Sequence, residues 1–99
     1  MIGIYKITSP SGKIYIGQSL NVEKRILHYK KYKCKHQIRL NASFNKYGVD
    51  KHLFEIILEC ERNELNDKER YYQDLYQVTS VKGLNCLLTS TSELKTVFT

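Results

Sequence analysis

A chain of 99 residues has room for one domain with a small core, and 41% hydrophobic against 26% charged residues, with a single proline, excludes a disordered or fibrous protein. No apolar run approaches the roughly 20 residues of a membrane span and no charged-then-apolar leader opens the chain, so an intracellular place, cytoplasmic or nucleoid-associated, is expected, with no membrane partner. The net charge of +6 is concentrated: residues 24–39 carry Lys24, Arg25, Lys30, Lys31, Lys33, Lys35 and Arg39 and no acid, which leaves nine Lys and Arg to face ten Asp and Glu elsewhere.

The first elements form a hairpin. Residues 2–7 and 13–17 alternate like strands, and Ser9, Pro10, Ser11 and Gly12 between them are turn formers. Alternation puts Ile2, Ile4, Ile14 and Ile16 on one face and Tyr5, Ile7, Lys13 and Tyr15 on the other. With a loop of three or five residues centred on Pro10, Tyr5 is expected directly across from Tyr15, both lining a groove. Asn21 then caps a helix over residues 22–32, whose apolar stripe runs through Val22, Ile26 and Tyr29 with Arg25 at its edge.

A loop near residues 33–35 leads to a second helix expected over residues 36–47, with Leu40, Phe44 and Tyr47 buried and Gly48 as a left-handed cap. Residues 52–60, HLFEIILEC, are β-forming and nearly continuously apolar, which predicts a strand covered on both sides. The third helix is expected from near Asn63 or Asn66 through residue 78. Its stripe, Leu65, Tyr72 and Tyr76, has Glu69 in the middle. The end of the chain, residues 89–99, is rich in Ser and Thr and carries no pattern, so the expected domain spans residues 1–88 with an unassigned tail. The fold class is α+β: a three-stranded antiparallel sheet with helices around it.

Cys34, Cys60 and Cys86 are too few and too widely spaced for a zinc ribbon or redox pair and read as free thiols; His28, Cys34 and His36 fit no ligand frame. The basic segment, interleaved with His28, Tyr29, Tyr32 and His36, has the footprint of a polyanion-binding surface. A carboxylate in the centre of an apolar stripe is costly to bury unless something pairs with it or binds it. Glu69, Arg25 and two phenols from the hairpin around one cavity would supply the acid, base and cation of a phosphodiesterase site.

GIY at residues 3–5 and YIG at residues 15–17, with nine residues between the two tyrosines, resemble the signature of the GIY-YIG nuclease family. Downstream, NVEKRILHY resembles the motif that carries an arginine, SFNKYG a segment of the intron-encoded homing endonucleases, KERYY the motif of the catalytic glutamate, and GLN at residues 83–85 the closing asparagine motif. The resemblance implies catalytic roles for Tyr5, Tyr15, Arg25, Glu69 and Asn85, with Tyr29 one helical turn beyond the arginine and Lys13 matching a lysine of some members. It implies hydrolysis of double-stranded DNA with one Mg²⁺ or Mn²⁺ held by Glu69, Arg25 clamping a phosphoryl oxygen, and Tyr5 as base or water-positioning group. As a base near neutral pH, a phenol needs its pKa lowered by about 2–3 units, and Arg25, Lys13 and the metal are the expected sources. The DNA backbone is expected on Lys24, Lys30, Lys31, Lys33, Lys35, His36 and Arg39. The rival readings are a repair or structure-specific nuclease of the same superfamily and a binding module that does not cleave. No helix-turn-helix or zinc finger fits after Asn85, so target recognition is expected from a separate or missing domain, from the basic segment, or from a partner.

Overall fold

The computed structural model describes residues 1–31 and 37–89. The hairpin forms as the alternation requires: β1 is Gly3–Thr8 and β2 is Ile14–Ser19, antiparallel. Its loop is centred on Ser11, one residue later than Pro10, so Tyr5 lies opposite Gly17 and Tyr15 opposite Ile7. The expected Tyr5–Tyr15 pairing is therefore displaced by two residues along the strand. Because side chains repeat every two residues, the slip leaves both phenols on the same face.

Helix α1 is Val22–Lys31, opened by the Asn21 carboxamide, which accepts the Lys24 amide at 3.1 Å. Helix α2 is Ile38–Tyr47 and buries Leu40, Ser43 and Phe44; Gly48 follows with a positive φ but an extended ψ, not the left-handed helical cap expected. Strand β3, Leu53–Glu59, pairs with β1, which makes the sheet order β2-β1-β3. The strand covered on both faces is β1, and β3 is an edge, with Leu53 and Ile56 exposed. A short 3₁₀ turn, Arg62–Glu64, leads into α3, Leu65–Tyr76; Glu61 and Glu64 reciprocate each other's backbone bonds as a capping box. No helix among the described residues is long and apolar enough to cross a membrane.

The sheet separates two apolar clusters. On one face Tyr5, Ile7 and Tyr15 pack with Val22 and Tyr29 of α1, Leu40 and Phe44 of α2, and Leu84; on the other, Ile4 and Ile16 pack with Leu65 of α3 and Val78. Beyond α3 the chain returns to the outer edge of β2. The Ile14 amide donates to the Lys82 carbonyl at 3.1 Å, and the Leu84 amide to the Ile14 carbonyl at 2.8 Å. Two glycines of the paired tripeptides have steric reasons. A methyl group on Gly3 would come within 2.2 Å of the Leu58 carbonyl oxygen, where the β1–β3 register shifts. One on Gly17 would enter the Tyr5 ring.

Candidate active site

The hairpin and α1 bring three phenols together. The Tyr5 and Tyr29 hydroxyls share a hydrogen bond of 2.8 Å, and the Tyr5 ring lies 6.3 Å from that of Tyr15 and 5.9 Å from that of Tyr29, centre to centre. Tyr5 and Tyr29, each 1% exposed, do not line an open groove as expected of Tyr5, whereas Tyr15, 9% exposed, stands in the wall of the cleft described below. Burial therefore dominates their chemistry. It pushes the Tyr5 phenol far above its ordinary range, with Tyr29 and Tyr15 adding to the rise and the Arg25 hydrogen bond pulling the other way. Tyr15 is raised in the same sense, again by burial first. Within the protein alone Arg25 does not bring Tyr5 below its ordinary range, because removing a phenolate from water costs more than one nearby guanidinium returns.

Arg25 sits over the Tyr29 ring, its Cζ 5.2 Å from the centroid, as its place beside the stripe predicts. Its own desolvation opposes the charged form, but hydrogen bonding to Tyr5 and the fields of Tyr29 and Tyr5 outweigh it and hold the guanidinium above its ordinary range. Lys13, expected to help lower Tyr5, lies elsewhere. It lines a second cleft with Lys46 and Arg39, which among the described residues shares only Leu84 with the cleft described next.

A cleft of about 250 Å³ runs past the edge of β2, with Tyr15 and Gln37 on one side and Glu69 and Gln73 on the other, closed by residues 84–89. Glu69 belongs to the helix on the opposite face of the sheet from the phenols. Gln18, on the same face as Ile16 and so on the α3 side of the sheet, holds the carboxylate: its amide donates to Glu69 Oε1 and to Asn66 Oδ1, each at 2.8 Å. Thr89 donates its hydroxyl to the same Oε1, and its amide is held by Gln73 at 2.8 Å. Glu69 is 7% exposed and forms no ion pair among the described residues. Burial raises its carboxyl above the ordinary carboxylate range, against the pull of the Gln18 and Thr89 hydrogen bonds.

No group of three or more His, Cys, Asp and Glu side chains gathers among the described residues. The donor set nevertheless suits a hard cation that keeps most of its water: the Gln18 and Thr89 bonds to the carboxylate both fall on Oε1, leaving Oε2 for a ligand, in a cleft with room for several waters.

Two expected site residues have other tasks visible in the structure. The Asn85 side chain accepts the Ile16 amide and donates to the Ile16 carbonyl, both at 2.9 Å, so its amide is occupied in pinning the chain to β2. Arg39, expected on DNA, donates to the carbonyls of Thr79 at 3.1 Å, Asn85 at 2.7 Å and Ser80 at 2.5 Å. It straps α2 to the segment after α3. Lys24, Lys30 and Lys31 lie exposed on α1; Lys33, Lys35 and His36 lie outside the described residues.

Gln18, Gln37, Gln73 and Thr89 carry no charge, and Gln73 is marked only by its place one turn beyond Glu69 on the same stripe, while Gln37 and Thr89 stand in no pattern that composition or periodicity detects. For Gln18 the signal is parity: it is two residues beyond Ile16 and must share its face.

A family model described as the GIY-YIG catalytic domain matches residues 1–85. The catalytic domain of the intron endonuclease I-TevI, in a glutamate-to-alanine mutant, is 25% identical, with a TM-score of 0.75 over 91% of this chain and 96% of that one. A second structure, of the catalytic domain of the homing endonuclease I-TevI, is 26% identical, with a TM-score of 0.72 over 88% of this chain and 99% of that one. No curated protein matches.

Proposed function

The chain belongs to the GIY-YIG family, and from that premise we propose that it is a divalent-metal-dependent DNA endonuclease of the homing type. The observation that carries the reading is the Glu69 carboxylate: buried, without a cation among the described residues, held by two neutral donors, and set beside Tyr15 in one cleft. A protein keeps such a group at a cost in stability, and a site for a cation offsets that cost.

In this mechanism Glu69, its Oε1 fixed by Gln18, would hold Mg²⁺ or Mn²⁺. When bound, the metal supplies Lewis-acid neutralisation of charge on the phosphoryl and leaving oxygens. Arg25, exposed on α1 and braced over Tyr29, contacts a non-bridging phosphate oxygen with a planar fork that lysine lacks. Tyr15, in the cleft wall, orients the attacking water or the phosphate by a hydrogen bond. Tyr5 acts from behind it, through Arg25 and Tyr29. Burial keeps these phenols protonated, which favours water positioning over the role of general base. Asn85 acts as a positioning residue that holds the cleft's floor against β2. Exposed Lys24, Lys30 and Lys31 carry the DNA backbone.

The test is nicking of supercoiled plasmid with and without Mg²⁺, in the wild type and Glu69→Gln. Metal-dependent nicking lost in the variant supports the reading. DNA binding without nicking in Mg²⁺ or Mn²⁺ would leave a non-cleaving module on the same fold.

A further inference from the structure

Helix α2 begins at a residue unsuited to begin it. Gln37 occupies the N-cap, and its carbonyl accepts the Asn41 amide at 2.8 Å, but its side chain caps nothing. Glutamine is not among the residues that favour this position. The side chain instead turns to the phenols: Nε2 donates to the Tyr29 hydroxyl at 3.0 Å and to the Tyr15 hydroxyl. The geometry points to Gln37 as a positioning residue of the nuclease reaction, one that directs the hydroxyl protons of the three phenols.

An amide nitrogen has two hydrogens to give and accepts none, so both phenol oxygens are acceptors toward it. Each phenol retains one proton of its own. That of Tyr29 has the Tyr5 oxygen 2.8 Å away. That of Tyr15, whose wall of the cleft faces Glu69, is left to point into the cleft. One amide thus engages Tyr29, whose hydroxyl is bonded in turn to that of Tyr5, and makes Tyr15 a donor where a phosphoryl oxygen or the lone pair of a water would sit. A donor aimed before the substrate arrives needs no reorganisation during the reaction. Gln37 touches no reacting atom in this scheme. It acts through Tyr15.

This inference rests on the endonuclease reading for its kinetic consequence but not for its structural one, and the experiment separates the two. Three variants are compared: Gln37→Leu, which neither donates nor accepts; Gln37→Glu, which only accepts; and Gln37→Lys, which only donates. Single-turnover cleavage at saturating DNA and Mg²⁺ should fall about 10²-fold for Leu and Glu, as for a misaligned group, and stay within about tenfold of wild type for Lys, with DNA affinity of the Leu variant unchanged. In protein labelled with ¹³Cζ-tyrosine, the Leu and Glu variants should move the Tyr15 and Tyr29 resonances, and Tyr5 through Tyr29. Thermal melts confirm that each variant folds. Wild-type rates and unmoved resonances for Leu overturn the proposal. So does full activity for Glu with loss for Lys, which reverses the direction of donation, or an equal loss for all three, which marks a purely structural residue. If the wild type cleaves no DNA, the endonuclease reading fails, and the resonances alone decide whether Gln37 orders the phenols.

Discussion

The ring of Tyr5 lies across Gly17, so closely that a methyl group at Gly17 would stand 2.3 Å from Cζ and 2.4 Å from the hydroxyl oxygen. The tyrosine of the first tripeptide and the glycine of the second are one contact, made between residues paired across the hairpin.

Gly17→Ala should therefore cost about 1–3 kcal/mol, as overpacking does, and should reduce cleavage by displacing the phenol. Denaturant melts of Gly17→Ala, Tyr5→Leu and the double variant test this. The two changes should be non-additive by at least about 0.5 kcal/mol, the alanine costing less where the ring is gone. Gly12→Ala is the control: its φ of +88° strains a side chain, but nothing lies within 4 Å, so stability should fall while cleavage persists.

Glu69→Gln should lose at least about 10³-fold in cleavage rate, the several kcal/mol that a metal supplies to the transition state. It should also gain stability at neutral pH. The wild-type carboxyl is raised by burial, so its contribution to stability is complete below the unfolded carboxylate pKa and is lost as pH rises through the folded value. The amide has no such loss. The advantage of the variant, read from urea melts between about pH 4 and 8, should grow with pH and then level off; an advantage that grows toward acid would refute the burial argument.

Tyr15→Phe should slow single-turnover cleavage about 10- to 100-fold without changing the shape of the pH–rate profile, because a neutral donor is removed and not a base. Tyr5→Phe should cost less in rate and more in stability, since it breaks the buried bond to Tyr29. Profiles from about pH 6 to 9.5 in Mg²⁺ and again in Mn²⁺ separate a phenol from a metal-bound water. Disappearance of an alkaline-rising limb in Tyr5→Phe alone would restore that residue as the base.

Replacing Lys24, Lys30 and Lys31 together by Gln should lower the slope of log affinity against log salt by about 0.9 for each phosphate that is no longer neutralised, whatever the DNA sequence. Arg39→Met should leave that slope unchanged and cost on the order of 2–3 kcal/mol of stability, because three backbone carbonyls are deprived of a charged donor. The same titrations and melts decide both.

Arg39 shows where sequence reasoning stops. A tally of charge assigns every lysine and arginine of residues 24–39 to one surface, and the three carbonyls that occupy Arg39 come from residues forty or more positions away. Glu69 was legible for the opposite reason: a charge inside an apolar stripe contradicts its surroundings within a single helix. The parity of the hairpin was legible, and its register was not, because either turn centre keeps every side chain on its face. The run around Ile56 and Ile57 reads as a central strand, but an edge strand that packs on one face and bulges between its pairings with Ile4 and Tyr5 can be as apolar. Gln18, Gln37 and Asn85 act through neutral amides whose partners only the fold supplies.

Among the described residues the last helix ends at Tyr76, yet the sheet does not end at β2. The carboxamide of Asn85 serves Ile16 as a neighbouring peptide group would, offering one acceptor and one donor at 2.9 Å each. A single side chain thus behaves as a surrogate strand, sealing the flank at which another copy of the chain could add by β-pairing. The seal is exacting, since aspartate would mimic only its accepting half and serine is too short to offer both. It also makes the Ile16 amide a reporter: its hydrogen exchange should be slow for an outer strand, and should quicken whenever the segment after α3 lets go of the cleft.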